Sequence, residues 1–273
     1  MKSINEKGNY RFVFSSCLRL AMFSVKGIAA VLMVVALVAI SGADDVVETV
    51  RDKLTVPYGF SLQYVIDGTM GDSMLFFMPV LCALPYAAGY VEDLKSGAVR
   101  LILPRTRRVD YLLGKITACM AAGGLTLAIG VTISAVLALI LLRPLEAAAV
   151  AEGTLSSDAV AAARMHELIK RLWEQLMFLF LSGMLWSGFG MLASGVTESG
   201  YVAYLSPFIL YYLLIIICER YFTGIKVIYP KEWINPGEWW PYGRVGVAIL
   251  MAELLLLLVT AFIAIGEKRL SRL

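Results

Sequence analysis

Long apolar runs, separated by short charged stretches, are the feature that most limits how this chain can fold. A helix needs about 20 apolar residues to cross the roughly 30 Å hydrocarbon layer of a bilayer. Six runs approach that length, at residues 21–41, 73–90, 116–142, 176–196, 201–218 and 245–266. The composition agrees, because 59% of the residues are hydrophobic and 16% are charged, whereas a soluble domain is nearer one half and one quarter. We therefore expect an all-α, polytopic membrane protein with a single transmembrane domain over residues 1–273.

The distribution of charge predicts which side of the membrane each loop faces. With the N-terminus inside, most of the 24 Lys and Arg residues fall in inner segments, and most of the 21 Asp and Glu residues fall in outer loops. Basic residues prefer the cytoplasmic side. We therefore expect both termini to be cytoplasmic, outer loops at 42–72, 143–175 and 219–244, and a multi-pass protein of a bacterial inner or plasma membrane. The net charge of +3 is too small to indicate a nucleic-acid partner.

Two further helices are predicted outside these six spans. Residues 10–19 mix aromatic side chains with Arg11 and Arg19, which predicts a short amphipathic helix in the inner interface. The alternative is that these residues extend the first span inward. In the second outer loop, Ser157 can cap a helix that runs directly into the fourth span. The apolar face of that helix consists of residues at helical spacing: Met165, Leu168, Ile169, Leu172 and Leu176.

Few ionisable side chains fall inside the predicted spans. Lys26 lies near the inner end of the first span, where its ammonium group can reach the interface. Glu253 lies deep in the last span, where a charge costs several kcal/mol unless it is protonated, paired or wet. Two interpretations stay open for Glu253. It is either a polar point on a translocation path or subunit interface, or a protonated side chain that bonds a neighbouring helix.

The sequence does not indicate an enzyme. A phosphate-binding loop of the form G-x-x-x-x-G-K-[ST] is missing, because Val109 stands where the first glycine is required and Ile116 follows Gly114-Lys115. The single histidine, His166, falls on the charged side of the outer helix, as expected for a solvated side chain. The four cysteines have no obvious partner in an outer loop, so no disulfide framework is predicted. We therefore assign no catalytic, cofactor-binding or metal-binding residue.

The inner loop at residues 91–115 carries the most information about function. It begins with two acids, is interrupted by Pro104 and ends in a basic cluster. By charge alone, such a loop is a topology anchor. The order of its residues is more specific: an acid, a glycine five positions later, and then Arg-x-Arg-Arg-x-x-Tyr-x-x-x-Lys.

That order resembles the membrane subunits of type-2 ABC exporters. In that family the loop between the second and third spans carries a coupling helix that docks on a separate ATPase subunit. The matching positions here are Glu92, Gly97, Arg105, Arg108, Tyr111 and Lys115. Arg107 belongs to the same basic cluster and is added for its charge. Six spans, an interfacial N-terminal helix and the Asn235-Pro236 pair before the last span are also similar to the family, whereas the outer loops are longer than its pattern.

The resemblance implies the permease subunit of an ATP-driven exporter, coupled to its ATPase through residues 91–115. ATP and Mg would then bind the partner ATPase, and no cofactor would bind this chain. A second copy or a related permease and the lipid bilayer are the other implied partners, and the cargo is amphipathic or hydrophobic: a peptide or bacteriocin-like compound, a lipid or a drug. Two alternatives remain: a secondary transporter, expected to carry intramembrane charge pairs or inverted repeats, and a non-transporting partner subunit.

Overall fold

The computed structural model describes residues 3–43, 46–47, 59–104, 106–142, 158–222, 227, 229–236, 240 and 242–271. Within these ranges the chain forms helices and turns, and no strand occurs. A short 3-10 helix spans Pro230–Trp233. The α-helices in chain order are α1 (Ser3–Phe23), α2 (Val25–Ser41), α3 (Phe60–Met70), α4 (Asp72–Ala83), α5 (Gly89–Ser96), α6 (Ala98–Ile102), α7 (Arg108–Leu141), α8 (Asp158–Thr197), α9 (Gly200–Tyr221) and α10 (Gly243–Leu270).

Four of these helices are long and apolar enough to cross a bilayer. They are α7, α9, α10 and the part of α8 that begins at Ala163. Two bent pairs, α1 with α2 and α3 with α4, reach the same length and apolarity only when each pair is taken together. The structure therefore contains four to six candidate membrane spans, and the all-helical class predicted from the sequence is confirmed.

The first bent pair turns by 57° between α1 and α2. Ser24 forms the corner, because its hydroxyl oxygen accepts a hydrogen bond from the Gly27 amide at 3.0 Å and its hydroxyl donates to the Ala21 carbonyl at 2.9 Å. This is an N-cap that satisfies one free amide of α2. A Cβ atom on Gly27 would lie 2.2 Å from the Ala21 carbonyl oxygen, so the bend requires glycine at that position. Helix α1 then packs along α7, where Tyr10 and Thr117 share a hydrogen bond of 3.2 Å.

The second bent pair turns by 66° between α3 and α4, at Gly71. The sequence analysis placed α3 in the first outer loop, but in the structure it packs inside the bundle with Leu62 and Val65 buried. Thr69 accepts a hydrogen bond of 2.5 Å from the Gln175 amide of α8, which ties α3 to that helix. Helix α4 ends at Ala83, and turns connect it to α5, so the predicted second span at 73–90 is interrupted.

Helices α7 and α8 form the centre of the bundle. They approach closely because Gly123 of α7 faces Gly183 of α8: a Cβ atom on Gly183 would lie 2.6 Å from the Gly123 carbonyl oxygen. Small residues allow this kind of backbone contact between membrane helices. The other glycines of α8 also face parts of the same chain, including Gly188, which meets Met120 of α7.

Helix α8 continues without a break from the second predicted outer loop into the fourth predicted span, over 40 residues. The proposed cap Ser157 lies outside the described residues. On the predicted apolar face, Leu168 is buried, but Ile169 is 54% exposed because the buried stripe is narrower than the spacing indicates. His166 is exposed, as expected for a solvated side chain.

Several helix ends meet at one end of the bundle. We call the end that holds residues 24–26, 86–104, 106–115, 196–204 and 266–271 the basic end, and the opposite one the loop end. At the basic end, Arg269 of α10 donates to the Val196 carbonyl of α8 at 2.8 Å and pairs with Glu198 at 3.1 Å. At the loop end, Arg244 of α10 pairs with Glu174 of α8.

Candidate functional site

Two short helices, α5 and α6, form the segment between α4 and α7 at the basic end. Gly97 joins them and adopts φ +74°, in the left-handed region that favours glycine. Its amide donates to the Leu94 carbonyl at 3.3 Å and so caps α5. Space does not explain the glycine, because a Cβ atom there would meet nothing within 4 Å. The backbone turn itself explains why glycine occupies this position.

Asp93 of α5 is held by the start of α7. Its carboxylate lies 2.6 Å from the Lys115 ammonium group and accepts a hydrogen bond of 2.7 Å from the Tyr111 hydroxyl. Lys115 is 3% exposed and also donates to the Tyr86 hydroxyl at 2.6 Å. Each charge therefore has a counter-charge and additional hydrogen bonds, which is the arrangement that makes a buried ion pair tolerable.

Glu92, the preceding residue, points to different helices. Its carboxylate lies 3.0 Å from the Lys26 ammonium group at the start of α2, and Lys26 also donates to the Tyr204 hydroxyl of α9 at 3.2 Å. Both charged side chains are more than half exposed, so this pair contributes far less than a buried one. The sequence analysis treated Lys26 as a lysine that reaches the interface alone; in the structure it has a carboxylate partner.

The two consecutive acids of α5 thus contact different helices. Asp93 is bonded to α7, whereas Glu92 is bonded to Lys26 of α2, which in turn donates to α9. All four charged residues of these two ion pairs belong to helices, and α5 lies between Lys26 and Lys115. A displacement of α5 and α6 must therefore move these helices or break the two ion pairs.

The seven predicted coupling residues differ in their surroundings. Glu92, Tyr111 and Lys115 are engaged with neighbouring helices, as described above, and Gly97 forms the turn. Arg107 and Arg108 are exposed at the start of α7, as is Arg100 on α6, so a basic surface remains. Arg105 lies outside the described residues.

The sequence did not predict that four residues take part in this network: Lys26, Tyr86, Asp93 and Tyr204. Asp93 could have been noticed, because it stands beside Glu92 in the same acidic pair. Tyr86 and Tyr204 carry no such signal, since a tyrosine in an apolar run is usually a packing residue.

A groove of about 630 Å³ opens beside the network, between α1 and α6. Its exposed walls are apolar: Phe12 of α1 is 72% exposed and Leu101 of α6 is 77% exposed. Asp93 and Lys115 line the same groove. Helix α6 and the Asp93–Lys115 pair therefore border a cavity rather than solid packing.

Glu253 lies on an exposed face of α10, away from this network. No hydrogen bond or ion pair joins it to any other residue that the structure describes. A bond from Glu253 to a neighbouring helix of the same chain, one of the two open interpretations, is therefore not formed within that part of the chain.

The described residues include neither a metal-binding cluster nor a disulfide. They contain no group of three or more His, Cys, Asp or Glu side chains that could hold a metal ion. All four cysteines are free and buried: Cys17, Cys82, Cys119 and Cys218. The arrangement at the basic end is instead one of paired charges and hydrogen bonds that connect helices.

Comparison of the chain with protein-family models gave no match, and comparison with curated proteins gave none either.

Proposed function

We propose that this protein is the permease subunit of an ATP-driven type-2 exporter, with a separate ATPase docked on residues 91–115. The observation that carries the proposal is the Asp93–Lys115 ion pair, which connects the short α5–α6 segment to α7. Because Lys115 is buried and Asp93 is only partly exposed, and because both accept or donate further hydrogen bonds, a push on the segment is transmitted into a helix that crosses the bundle. The exposed Arg107 and Arg108 provide a surface on which acidic groups of an ATPase can bind through forked hydrogen bonds.

The proposed topology places the basic end in the cytoplasm, in a bacterial cell membrane. The positive-inside bias supports this orientation. Six spans result when each bent pair counts as one span, and both termini are then cytoplasmic. The 57° corner at Ser24 supports a position for α1 along the inner interface rather than across the bilayer.

Partners and cargo follow from the same proposal. The ATPase subunit binds ATP and Mg, a second copy of this chain or a related permease completes the transport path, and an amphipathic or hydrophobic compound is moved outward. A peptide or bacteriocin-like compound, a lipid and a drug all belong to that chemical class.

The proposal is tested by reversing charge at the start of α7. Arg107→Glu with Arg108→Glu should reduce ATPase association and cargo-stimulated ATP hydrolysis, because buried charge pairs across an interface typically cost about 2–5 kcal/mol when one partner is lost. The control is Arg164→Glu with Lys170→Glu, an equal charge change on exposed residues near the loop end. Insertion into the membrane is checked for both variants. If an inserted Arg107/Arg108 variant co-purifies with the ATPase and exports as well as the control, coupling through this surface is wrong.

A secondary transporter is the second candidate, and the buried Asp93–Lys115 pair is the observation that favours it. Transport by such a protein would depend on an ion gradient rather than on ATP. Proteoliposomes that contain this chain alone distinguish the two. Substrate uptake that an ion gradient drives without any ATPase would favour the second candidate over the first.

A further inference from the structure

The outward-facing side of α10 carries a polar group in an unfavourable place. Glu253 stands eight residues from the start of the predicted span 245–266 and thirteen from its end, about 12 Å and about 20 Å along the helix axis. A glutamate side chain is too short to bring its carboxyl group from that depth to either interface, unlike a lysine or arginine. Facing lipid alone, the carboxyl group would lack any partner.

The residues that share this side of α10 form one continuous stripe. Positions 249, 253, 257, 260 and 264 lie within an arc of about 80° around a helix of 3.6 residues per turn. All five side chains are exposed in the single chain: Ile249, Glu253, Leu257, Thr260 and Ala264. Thr260 and Ala264 are small, which lets a second helix approach closely on the side of the stripe that follows Glu253.

A carboxyl group in its neutral form has one donor and one acceptor, so it can satisfy an identical group across a two-fold axis. A contact of this kind uses the same surface on both chains and closes on itself. Among the described residues, no other exposed acid lies in the middle of one of the four unbroken candidate spans. The carboxyl group of a second copy is therefore the partner that this chain itself supplies.

We infer that two copies of this protein associate through the α10 stripe, with the two Glu253 carboxyl groups bonded to each other at the contact. The inference deepens the pairing part of the proposed function and locates its surface. It does not depend on the ATPase or on the cargo, so it can fail while the coupling proposal stands, and the reverse also holds.

Disulfide cross-linking in membranes tests the contact. Single cysteines are introduced at Ile249, Leu257, Thr260 and Ala264, and the parent chain, whose four native cysteines are buried, gives the background. Two controls carry a cysteine off the stripe: Leu254→Cys on the flank of α10, and Ile209→Cys on α9. Ile209 and Ile249 are each 53% exposed, so they differ in position and not in access. We expect stripe positions to form covalent dimers well above both controls.

Variants of Glu253 then test the bond itself. In the Thr260→Cys chain, Glu253→Gln keeps a donor and an acceptor and should leave the cross-linked fraction unchanged. Glu253→Leu should lower it by about fivefold, the effect expected for one interhelical hydrogen bond in a membrane. Dimers that form equally at stripe and control positions, or at none of them, would overturn the inference. If cysteines at the stripe positions cross-link only to a different protein, the inference is overturned as well.

Discussion

Cys119 of α7 and Ser187 of α8 exchange two hydrogen bonds across the centre of the bundle. The Ser187 hydroxyl donates to the Cys119 carbonyl at 3.2 Å, and the Cys119 thiol donates to the Ser187 carbonyl at 3.4 Å. Side chains this short reach an opposite backbone only when the two helices are very close. The contact between Gly123 and Gly183 permits that short distance between the helices.

Gly183→Ala should destabilise the protein, whereas Gly195→Ala on the same helix should not. A methyl group on Gly183 meets the Gly123 carbonyl oxygen at 2.6 Å, and one on Gly195 meets its nearest neighbour at 3.5 Å, an ordinary contact. Overpacking of this kind costs about 1–3 kcal/mol. Thermal unfolding of the two purified variants in detergent measures the difference. Equal unfolding temperatures would show that α7 and α8 are farther apart than described.

Asp93→Asn should be much more damaging than Glu92→Gln, although the residues are adjacent and the chemical change is the same. Loss of the Asp93 carboxylate leaves the buried Lys115 without a counter-charge, which costs about 3–5 kcal/mol. The Glu92 pair is exposed and contributes about 0–1 kcal/mol. Chemical or thermal unfolding reports both values.

A double variant separates the charge from the shape of the Asp93 side chain. Asp93→Asn with Lys115→Met removes both charges, so it should recover part of the stability that Asp93→Asn loses. If the double variant loses as much stability as Asp93→Asn and Lys115→Met lose when their separate effects are added, the two side chains are not coupled as the 2.6 Å distance indicates.

Thr106 and His166 should lie on opposite sides of the membrane. Thr106 precedes α7 at the basic end, and His166 is exposed on the part of α8 that extends to the loop end. We expect a membrane-impermeant thiol reagent to label Thr106→Cys only from the cytoplasm and His166→Cys only from outside. Labelling of both from one side would contradict the proposed topology.

The Tyr229 hydroxyl should ionise late in an alkaline titration. Burial, and then the 3.0 Å hydrogen bond that it donates to the Glu219 carboxylate, raise the pKa of Tyr229 from about 10 to about 12. Because the folded-state pKa is raised, any stability from this group is complete below pH 10 and is lost as the pH rises towards 12. The ultraviolet difference between the parent chain and Tyr229→Phe isolates this one phenol. A midpoint near the ordinary value would show that the bond is not formed.

The apolar runs predicted the long helices because a helix that crosses the lipid needs apolar side chains over about 20 consecutive residues. Helix α3 was missed for the same reason: Ser61, Gln63 and Asp67 interrupt its apolar residues, so its 11 residues read as a polar loop. What makes it a packed helix is its contact with α2, α7 and α8, including Gln175 of α8, more than a hundred residues later in the sequence.

The candidate site contains contacts that a sequence pattern cannot predict. Glu92, Tyr111 and Lys115 were selected from the order of residues in one loop, and the structure places all three at the basic end. Lys26, the partner of Glu92, and Tyr204, to which Lys26 also donates, belong to distant parts of the chain, and only the packing of α2 and α9 brings them near. No spacing rule within the loop could have predicted those bonds.

The length of α8 has a mechanical consequence. Its 40 residues extend for about 60 Å, twice the hydrocarbon thickness. Gly183, where it presses against α7, lies nearer the basic end, with about 21 Å of helix on that side and about 37 Å on the other. If the helix pivots there as a stiff rod, a sideways shift at the basic end becomes a shift almost twice as large at the opposite tip. Such a lever would turn small movements near Arg269 and Glu198 into wider excursions at the start of α8, whereas Glu174 and Gln175, about 13 Å from Gly183, would move less than the basic end.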